Sequence, residues 1–207
     1  CLRGLCVKIY QLFPEPVYVS KLARALTTTE LTLVEEYKKK TIKNIGNTTS
    51  EDNYVLEHKT FKNLKQELYK IVLDYFDKVV STSNPITPFI TQSWLNYTTT
   101  DQFHYPHSHK NSYVSGVFYI NVNKDMDQIH FYKGGGKSIE LSVATPNVFN
   151  SPFSWHSVET GNVFLFPSSL EHGVENKKGT NTRISLSFNV FFKGTFGDKK
   201  NLTELVL

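Results

Sequence analysis

The sequence predicts a mainly β fold with helices near its N-terminus. From Pro85 onward, apolar and polar residues alternate in short runs that are separated by Gly, Pro, Asn and Ser clusters, a pattern typical of a sandwich or barrel. Two segments before Pro85 carry helix signals instead. With 207 residues, of which 39% are hydrophobic, the chain is long enough for one domain with a full core. We therefore expect a single domain over residues 1–207.

Within that domain we expect an N-terminal strand and buttressing helices in residues 1–84 and a β-rich core in residues 85–207. The first segment, "VKIYQLFPEPVYVSKL", is rich in β-branched and aromatic residues but is interrupted by Pro14 and Pro16. Proline is confined to edge strands and bulges, so this segment predicts an edge strand. An exposed edge near Pro14 leaves room for a homodimer.

Two helices are predicted next. Thr27 stands three residues before Glu30 in "TTTELTLVEEYKKKTI", which is a capping-box signal, and the loop "NIGNTTSEDN" is expected to end that helix. The segment "FKNLKQELYKIVLDYFDKVV" has apolar residues every three or four positions, which predicts one buried helix face. The residues of this apolar stripe are Phe61, Leu64, Leu68, Val72, Tyr75 and Val79.

The predicted strands lie in "FITQSWLNYT", "YVSGVFYINV", "IHFYK", "SIELSV", "NVFLFP", "HGVE" and "RISLSFNVFF". In the last of these, alternate residues are apolar and polar, so the two faces differ. The apolar residues are Ile184, Leu186, Phe188 and Val190, and the polar ones are Arg183, Ser185, Ser187 and Asn189. The polar face is expected to look either into a barrel mouth or into solvent.

Composition narrows the function classes. The net charge of +4 is mild and the lysines are scattered, which gives nucleic-acid binding little support. The only cysteines, Cys1 and Cys6, lie too close to the terminus to staple a fold, which favours a reducing, cytoplasmic setting. No apolar run approaches the roughly 20 residues of a membrane span, so no membrane partner is expected.

Histidines mark a candidate metal site. His107 and His109 in "HYPHSH" are two residues apart, so in an extended chain both can reach one ion, whereas His104 would face away. The pair alone fits a histidine-rich surface loop better than a metal site. A third histidine, His172 in "PSSLEHGVE", would complete a set of three neutral imidazoles with open positions, which suits iron and also zinc, nickel, copper or manganese. Beyond it, Arg183 and Ser185 share a face suited to binding a carboxylate.

The order of these motifs resembles a known family. The HxH pair, "SGVFYIN", "GNVFLFPSSLEHGVE" and "TRISLSFNV" follow one another as in the 2-oxoglutarate and Fe(II)-dependent oxygenase superfamily. Within it, the chain is similar to a 2OG-Fe(II) oxygenase family of small bacterial and phage proteins. The opening "LFPEPVYV", the two helices and "SWLNY" also fit, so the resemblance covers nearly the whole chain. It implies a double-stranded β-helix, that is, a cupin-like jelly roll.

The resemblance also implies roles for individual residues. His107 and His172 match the iron ligands of the family, and His109 stands where most of the superfamily has the Asp of HxD. Arg183 with Ser185 matches the Arg-x-Ser that binds the distal carboxylate of 2-oxoglutarate. The same cosubstrate is expected to contact two further residues, Tyr119 and Asn96. No catalytic residue beyond the metal ligands is implied.

The implied activity is that of a 2-oxoglutarate-dependent dioxygenase, a hydroxylase that takes Fe(II), 2-oxoglutarate and O2 and oxidises a substrate that the sequence does not identify. The departure at His109 leaves an alternative, a non-redox, cupin-like metal-binding module whose three histidines hold Zn or Ni. Arg183 discriminates, because such a module needs no cationic clamp eleven residues beyond the last ligand. A third option is a capsid-type or adhesion jelly roll that binds no ion.

Overall fold

Two antiparallel β-sheets and two helices form the protein in this computed structural model, which describes residues 7–134 and 141–207. The helices are α1 (Thr28–Lys38) and α2 (Lys62–Tyr75), and α2 continues as a π-helical turn over Phe76–Val80. The strands are β1 (Tyr18–Lys21), β2 (Thr41–Lys43), β3 (Thr48–Ser50), β4 (Ile86–Thr98), β5 (His104–His107), β6 (Val114–Asn121), β7 (Gln128–Tyr132), β8 (Phe153–Ser157), β9 (Asn162–Pro167), β10 (His172–Val174), β11 (Arg183–Phe196) and β12 (Leu205–Val206).

The larger sheet has the strand order β1-β9-β6-β11-β4-β3-β2, with β12 paired to the far end of β11. The smaller sheet has the order β5-β10-β7-β8. The predicted mainly β fold is therefore confirmed, and β1 is the predicted edge strand, paired only with β9. Because β1, β2 and β3 belong to the larger sheet, residues from both sides of Pro85 build it.

The two helices cover the outer face of the larger sheet. Helix α1 begins with the predicted capping box, in which Thr27 Oγ1 accepts from the Glu30 N–H at 3.2 Å and Glu30 Oε2 accepts from the Thr27 N–H at 2.8 Å. Arg24 donates to the same carboxylate at 2.7 Å and ties it to the preceding loop. The apolar stripe of α2 is buried as predicted, apart from Val79, which is half-buried against the same core.

Strand β11 connects the helices to the interior. Its apolar residues belong to the main core between the larger sheet and the helices, whereas its polar residues are also buried and face the space between the two sheets. The prediction that this strand has an apolar face under the helices and a polar face in the barrel mouth is confirmed, and the solvent-facing alternative is excluded. A second, smaller core between the sheets contains Val117, Tyr119, Ile129, Phe131, Val158, Phe164 and Phe166.

Two local expectations differ from the structure. The expected loop "NIGNTTSEDN" contains β3, which forms a hairpin with β2 and hydrogen-bonds to β4 through Thr48 and Thr49. Of the predicted strand "SIELSV", residues 138–140 lie outside the described residues, and residues 141–143 are irregular; the strand in this region is β8 instead. A pairing partner distant in sequence creates both β3 and β8, so local patterning does not show them.

Two other sequence features concern the termini and membranes. Cys1 and Cys6 lie outside the described residues. Among residues 7–134 and 141–207, the structure has no helix with the length and apolar character needed to cross a bilayer.

The buried stripe of α2 gives a test of this packing. Leu68 is fully buried, whereas Leu73 on the same helix is 42% exposed. Leu68→Ala should lower the free energy of unfolding by about 2–5 kcal/mol, because it removes transfer energy and leaves a cavity. Leu73→Ala is the matched control and should lower it by less than about 1 kcal/mol. Urea unfolding followed by fluorescence measures both, and equal losses would contradict the assigned packing.

Candidate functional site

Three histidines converge between the two sheets. His107 is the last residue of β5, His109 follows two residues later in the loop, and His172 begins β10 directly opposite His107 in the strand pairing. One ring nitrogen from each lies within 4.8 Å of the other two. The Nε2 atoms of His107 and His109 are 3.1 Å apart. The structure thus brings together all three predicted metal ligands.

The outer ring nitrogens show which atoms face the centre. His107 Nδ1 lies 2.8 Å from the Tyr105 carbonyl oxygen, and His172 Nδ1 lies 3.0 Å from that of Leu170. A carbonyl oxygen can only accept, so both Nδ1 atoms carry the proton and both Nε2 atoms present a lone pair inward. His109 Nδ1 is oriented in the same way by a side chain, Asn189 Oδ1, at 2.6 Å.

This tautomer pattern fits a metal ion. Two Nε2 lone pairs 3.1 Å apart repel each other unless a cation lies between them. Three neutral imidazoles, each with its outer nitrogen held by an oxygen acceptor, are the donor set that divalent transition metals take in proteins. The residues present therefore fit the ion that the sequence predicts.

Burial keeps the histidines neutral. It lowers the pKa of His172 to about 3, and the neighbouring histidines add to the shift. Burial also lowers the pKa of His107 and of His109, against the opposing hydrogen bonds from Tyr105 and Asn189. Neutral rings are the metal-binding form, so the site is prepared for an ion without deprotonation.

Asn189 and Ser115 are site residues that the sequence reasoning did not assign. Ser115 Oγ lies 3.1 Å from His109 Nδ1 and 2.9 Å from Ser168 Oγ, which in turn donates to Ser112. This chain of hydroxyls and the Asn189 amide fix the His109 ring, which lies outside any strand. The polar face of β11 was the available signal, because it already included Asn189.

His104 does not face away from the site. Its ring stacks on that of His107 with centroids 4.4 Å apart, and Asn44 Nδ2 lies 3.2 Å from its Nε2. The prediction failed because β5 is irregular: His172 pairs with His107 and Val174 with His104, so four residues of β5 oppose three of β10. Such a bulge turns one side chain to the other face. Burial and the nearby histidines lower the pKa of His104 to about 3.

Beside the histidines, a narrow cavity extends between the sheets, and Arg183 is among its lining residues. Ser185 on β11 is paired with Tyr119 on β6 and Asn96 on β4, so the sheet places these three side chains side by side. All four residues predicted to bind the cosubstrate line this cavity, together with the three histidines. Val117 and Ile129 contribute apolar walls.

Several buried polar atoms in this cavity have no hydrogen-bond partner within residues 7–134 and 141–207. They are the Tyr119 hydroxyl, Asn96 Oδ1 and both amide atoms of Asn47, a residue that the sequence reasoning missed. Leaving a buried polar group unpaired costs about 1–3 kcal/mol, so a cluster of such atoms around one cavity indicates a polar ligand.

Arg183 supplies a positive charge in the lining of the cavity. It is 3% exposed, donates from Nη1 to the Gln128 carbonyl at 2.8 Å, and lies 5.3 Å from the Tyr119 ring centroid. The nearby carboxylate of Asp127 lies 3.7 Å from Lys177 Nζ instead. Across the described part of the chain, Arg183 forms no ion pair. A buried guanidinium without a carboxylate partner is a site for an anion.

Sequence comparison identifies the region that carries this site. Residues 92–189 match the model of the family described as "Putative 2OG-Fe(II) oxygenase". This segment is similar to 2OG-Fe(II) oxygenases. All three histidines, Arg183 and Ser185 fall inside the matched region, as does the adjacent Asn189. No curated protein matches the chain in sequence.

Solved structures of 2OG-Fe(II) oxygenases share the fold at low sequence identity. HygX from Streptomyces hygroscopicus, solved with nickel and 2-oxoglutarate, is 14% identical over 85% of this chain and 82% of its own, with a TM-score of 0.58. A prolyl-4-hydroxylase from Pseudomonas putida is 13% identical over 84% and 92%, with a TM-score of 0.52. An oxidoreductase of the 2OG-Fe(II) oxygenase family from Burkholderia pseudomallei is 12% identical over 84% and 83%, with a TM-score of 0.52. The predicted double-stranded β-helix is confirmed.

Removing one histidine tests the candidate metal site. His109→Ala should weaken Zn(II) binding by more than about 100-fold, because loss of a ligand exceeds the 10- to 100-fold cost of losing a ligand's supporting partner. Competition with a chelator of known affinity measures the change. His156→Ala removes an exposed histidine on β8 and should leave zinc affinity unchanged. Unchanged affinity in His109→Ala would refute the assignment.

The hydrogen bond between Asn189 and His109 can be tested separately. Asn189→Leu should weaken Zn(II) affinity by about 10- to 100-fold, because His109 loses the acceptor that holds its Nδ1 proton. Asn189→Asp keeps an acceptor oxygen and should retain tight binding. Asn63→Leu, an exposed change on α2, controls for the substitution itself. Equal zinc affinity in Asn189→Leu and the parent protein would show that the Asn189 amide does not fix the tautomer and orientation of the His109 ring.

Proposed function

We propose that the protein is an Fe(II)- and 2-oxoglutarate-dependent oxygenase, a hydroxylase that couples decarboxylation of 2-oxoglutarate to oxidation of a second substrate. The proposal rests on one observation: a candidate metal site and a buried cation line the same cavity. Three imidazole lone pairs converge at one end, and the buried, unpaired guanidinium of Arg183 lies at the other. A cosubstrate that chelates a metal through one end and carries a carboxylate at the other fits both.

His107, His109 and His172 would hold the iron. When bound, iron activates dioxygen and converts 2-oxoglutarate to succinate and carbon dioxide while a C–H bond of the second substrate is oxidised. The three residues contribute no negative charge. The centre therefore favours an anionic ligand more strongly than a site with two histidines and a carboxylate would.

Arg183 would bind the distal carboxylate of 2-oxoglutarate. Its Nη1 is already held by Gln128, which fixes the guanidinium plane and leaves the other N–H groups for the ligand. Ser185 lies two residues along the same face and adds a hydroxyl. A charge-assisted hydrogen bond in a buried cavity is stronger than a neutral one, so this end provides most of the orientation of the cosubstrate.

Tyr119 and the two asparagines would complete the binding. Burial raises the pKa of Tyr119 to about 12, so its hydroxyl stays protonated and can donate to a carboxylate. Asn96 Nδ2 donates to Ser187 at 2.9 Å, which fixes the side chain beside the cavity. Asn47, which lines the same cavity with both amide atoms unpaired, contributes a further donor. A bound dicarboxylate would satisfy atoms that are otherwise costly to bury.

The relatives support this assignment. HygX has been crystallised with iron and with nickel and 2-oxoglutarate. We also infer that residues 1–207 form one domain, because strands from residues before and after Pro85 pair within the larger sheet.

Cosubstrate binding gives the direct test. Anaerobic addition of Fe(II) and then 2-oxoglutarate to the metal-free protein should produce the visible charge-transfer band of the chelated 2-oxo acid. Arg183→Ala should weaken 2-oxoglutarate binding by about 10- to 150-fold, the effect of losing one hydrogen bond to a charged group. Lys193→Ala removes an exposed positive charge from the same strand and should leave the affinity for 2-oxoglutarate unchanged.

Two results would contradict the proposal. A protein that binds Zn or Ni tightly but shows no band, and no succinate in air, would be the non-redox metal module. Equal 2-oxoglutarate affinity in Arg183→Ala and Lys193→Ala would show that Arg183 does not bind the cosubstrate.

A further inference from the structure

A second, wider cleft opens beside His107 and His109. It has a volume of roughly 340 Å³, and Trp94, His104, His107 and His109 line both this cleft and the narrow cavity. The volume lies within the range of small-molecule sites. A substrate in this cleft would lie against the metal ligands without displacing a cosubstrate held by Arg183.

Polar and aromatic side chains line this outer cleft, and the three histidines His104, His107 and His109 are among them. Four carboxamides, one hydroxyl of Thr49 and the rings of Trp94 and Tyr105 form its walls, and Lys110 lies at its exposed rim. No carboxylate and no aliphatic side chain of the described residues lines it. The carboxamides are those of Asn44, Asn53, Gln92 and Asn189.

Two of these amides are already held in place. Asn44 Oδ1 accepts from the Ile45 N–H at 2.8 Å while its Nδ2 lies 3.2 Å from His104 Nε2. Asn189 Oδ1 accepts from His109 Nδ1, which leaves its NH2 group as a donor for the cleft. Gln92 and Asn53 are exposed at the mouth and can adapt to a ligand. The cleft therefore combines fixed polar groups near the metal site with adjustable ones outside.

We propose that the outer cleft binds a neutral polyhydroxylated substrate, a sugar or a glycoside, whose C–H bond is then oxidised. A carboxamide both donates and accepts, as a sugar hydroxyl does, so four of them match a ring of hydroxyl groups. The apolar C–H face of a sugar ring would pack on Trp94 or Tyr105, whose rings are apolar at the face. This inference rests on the proposed oxygenase function.

Other substrate classes fit the outer cleft less well. A polycation would find no carboxylate there, and a polyanion would find only Lys110. An apolar polycycle would leave the NH2 group of the buried Asn189 without a partner, because only its Oδ1 is engaged, by His109. Neutral hydroxyl groups satisfy this amide without requiring a charge.

The wall that distinguishes this cleft comes from the β2–β3 hairpin. Asn44, Thr49 and Asn53 all belong to this hairpin or adjoin it, and all lie outside the family-matched residues 92–189. The metal and cosubstrate residues other than Asn47 lie inside that range. The hairpin therefore adds substrate-binding groups to a shared catalytic core, which is where substrate selectivity is expected.

A single-tryptophan reporter tests the proposal without turnover. The chain has two tryptophans, and Trp155 lies half-exposed on β8, away from the cleft lining, so Trp155→Phe leaves Trp94 as the reporter. The protein is loaded with Zn(II) and 2-oxoglutarate and titrated with a panel of neutral mono- and disaccharides and methyl glycosides. Cyclohexylmethanol, glucosamine and glucose 6-phosphate serve as the apolar, cationic and anionic counterparts.

We expect a saturable change in Trp94 emission with at least one neutral sugar and none with cyclohexylmethanol. Gln92→Leu and Asn53→Leu should each lower the affinity for that sugar by about two- to tenfold, the effect of one lost hydrogen bond. Gln66→Leu, the same change on the exposed surface of α2, should not weaken it.

The proposal is overturned if no member of the sugar panel gives a saturable signal, or if an apolar, cationic or anionic counterpart binds more tightly than every neutral sugar. It is also overturned if Gln92→Leu and Asn53→Leu bind the sugar as Gln66→Leu does. The readout uses zinc and no oxygen, so its failure is distinguishable from failure of the oxygenase activity, which the charge-transfer band and succinate report.

Discussion

Strand β11 carries the constraint on which the rest of the molecule depends, because both of its faces are buried and they have opposite polarity. It lies between β4 and β6 in the larger sheet, with its apolar residues in the core under the helices. A shift of one residue in its register would expose Leu186 and Phe188 to the cavity and bury Arg183 in the core. The strand pairing that secures the hydrophobic core therefore also places Arg183, Ser185 and Asn189 at the site.

Much of the fold and of the site could be predicted because it follows local periodicity. The stripe of α2, the capping box at Thr27 and the alternation in β11 are each visible within a few residues, and each is confirmed. The two-residue spacing of His107 and His109 also survives in the structure. Where a single local rule determines the side-chain direction and tertiary packing agrees with it, the sequence is sufficient.

The remaining features depend on partners that are distant in sequence. Strand β3 forms because the edge of β4 offers hydrogen bonds to it, and nothing within "NIGNTTSEDN" indicates that pairing. His104 faces the site because four residues of β5 oppose three of β10. Asn189 was visible on a polar face, but its bond to His109 joins residues eighty positions apart. A bulge, a strand pairing at a sheet edge and a histidine tautomer can each be predicted only when the position of the contacting residue is known.

The charge distribution between the sheets is compatible with a histidine at position 109, where the resemblance implies an aspartate. With three neutral ligands, a divalent cation would keep its full charge, and the buried Arg183 adds another positive charge at the far end of the same cavity. The buried Asp127 is paired with Lys177 and compensates neither. A dianion that spans the cavity would neutralise both ends at once. The missing ligand carboxylate thus makes metal and cosubstrate binding more strongly coupled, since each reduces the electrostatic cost of holding the other.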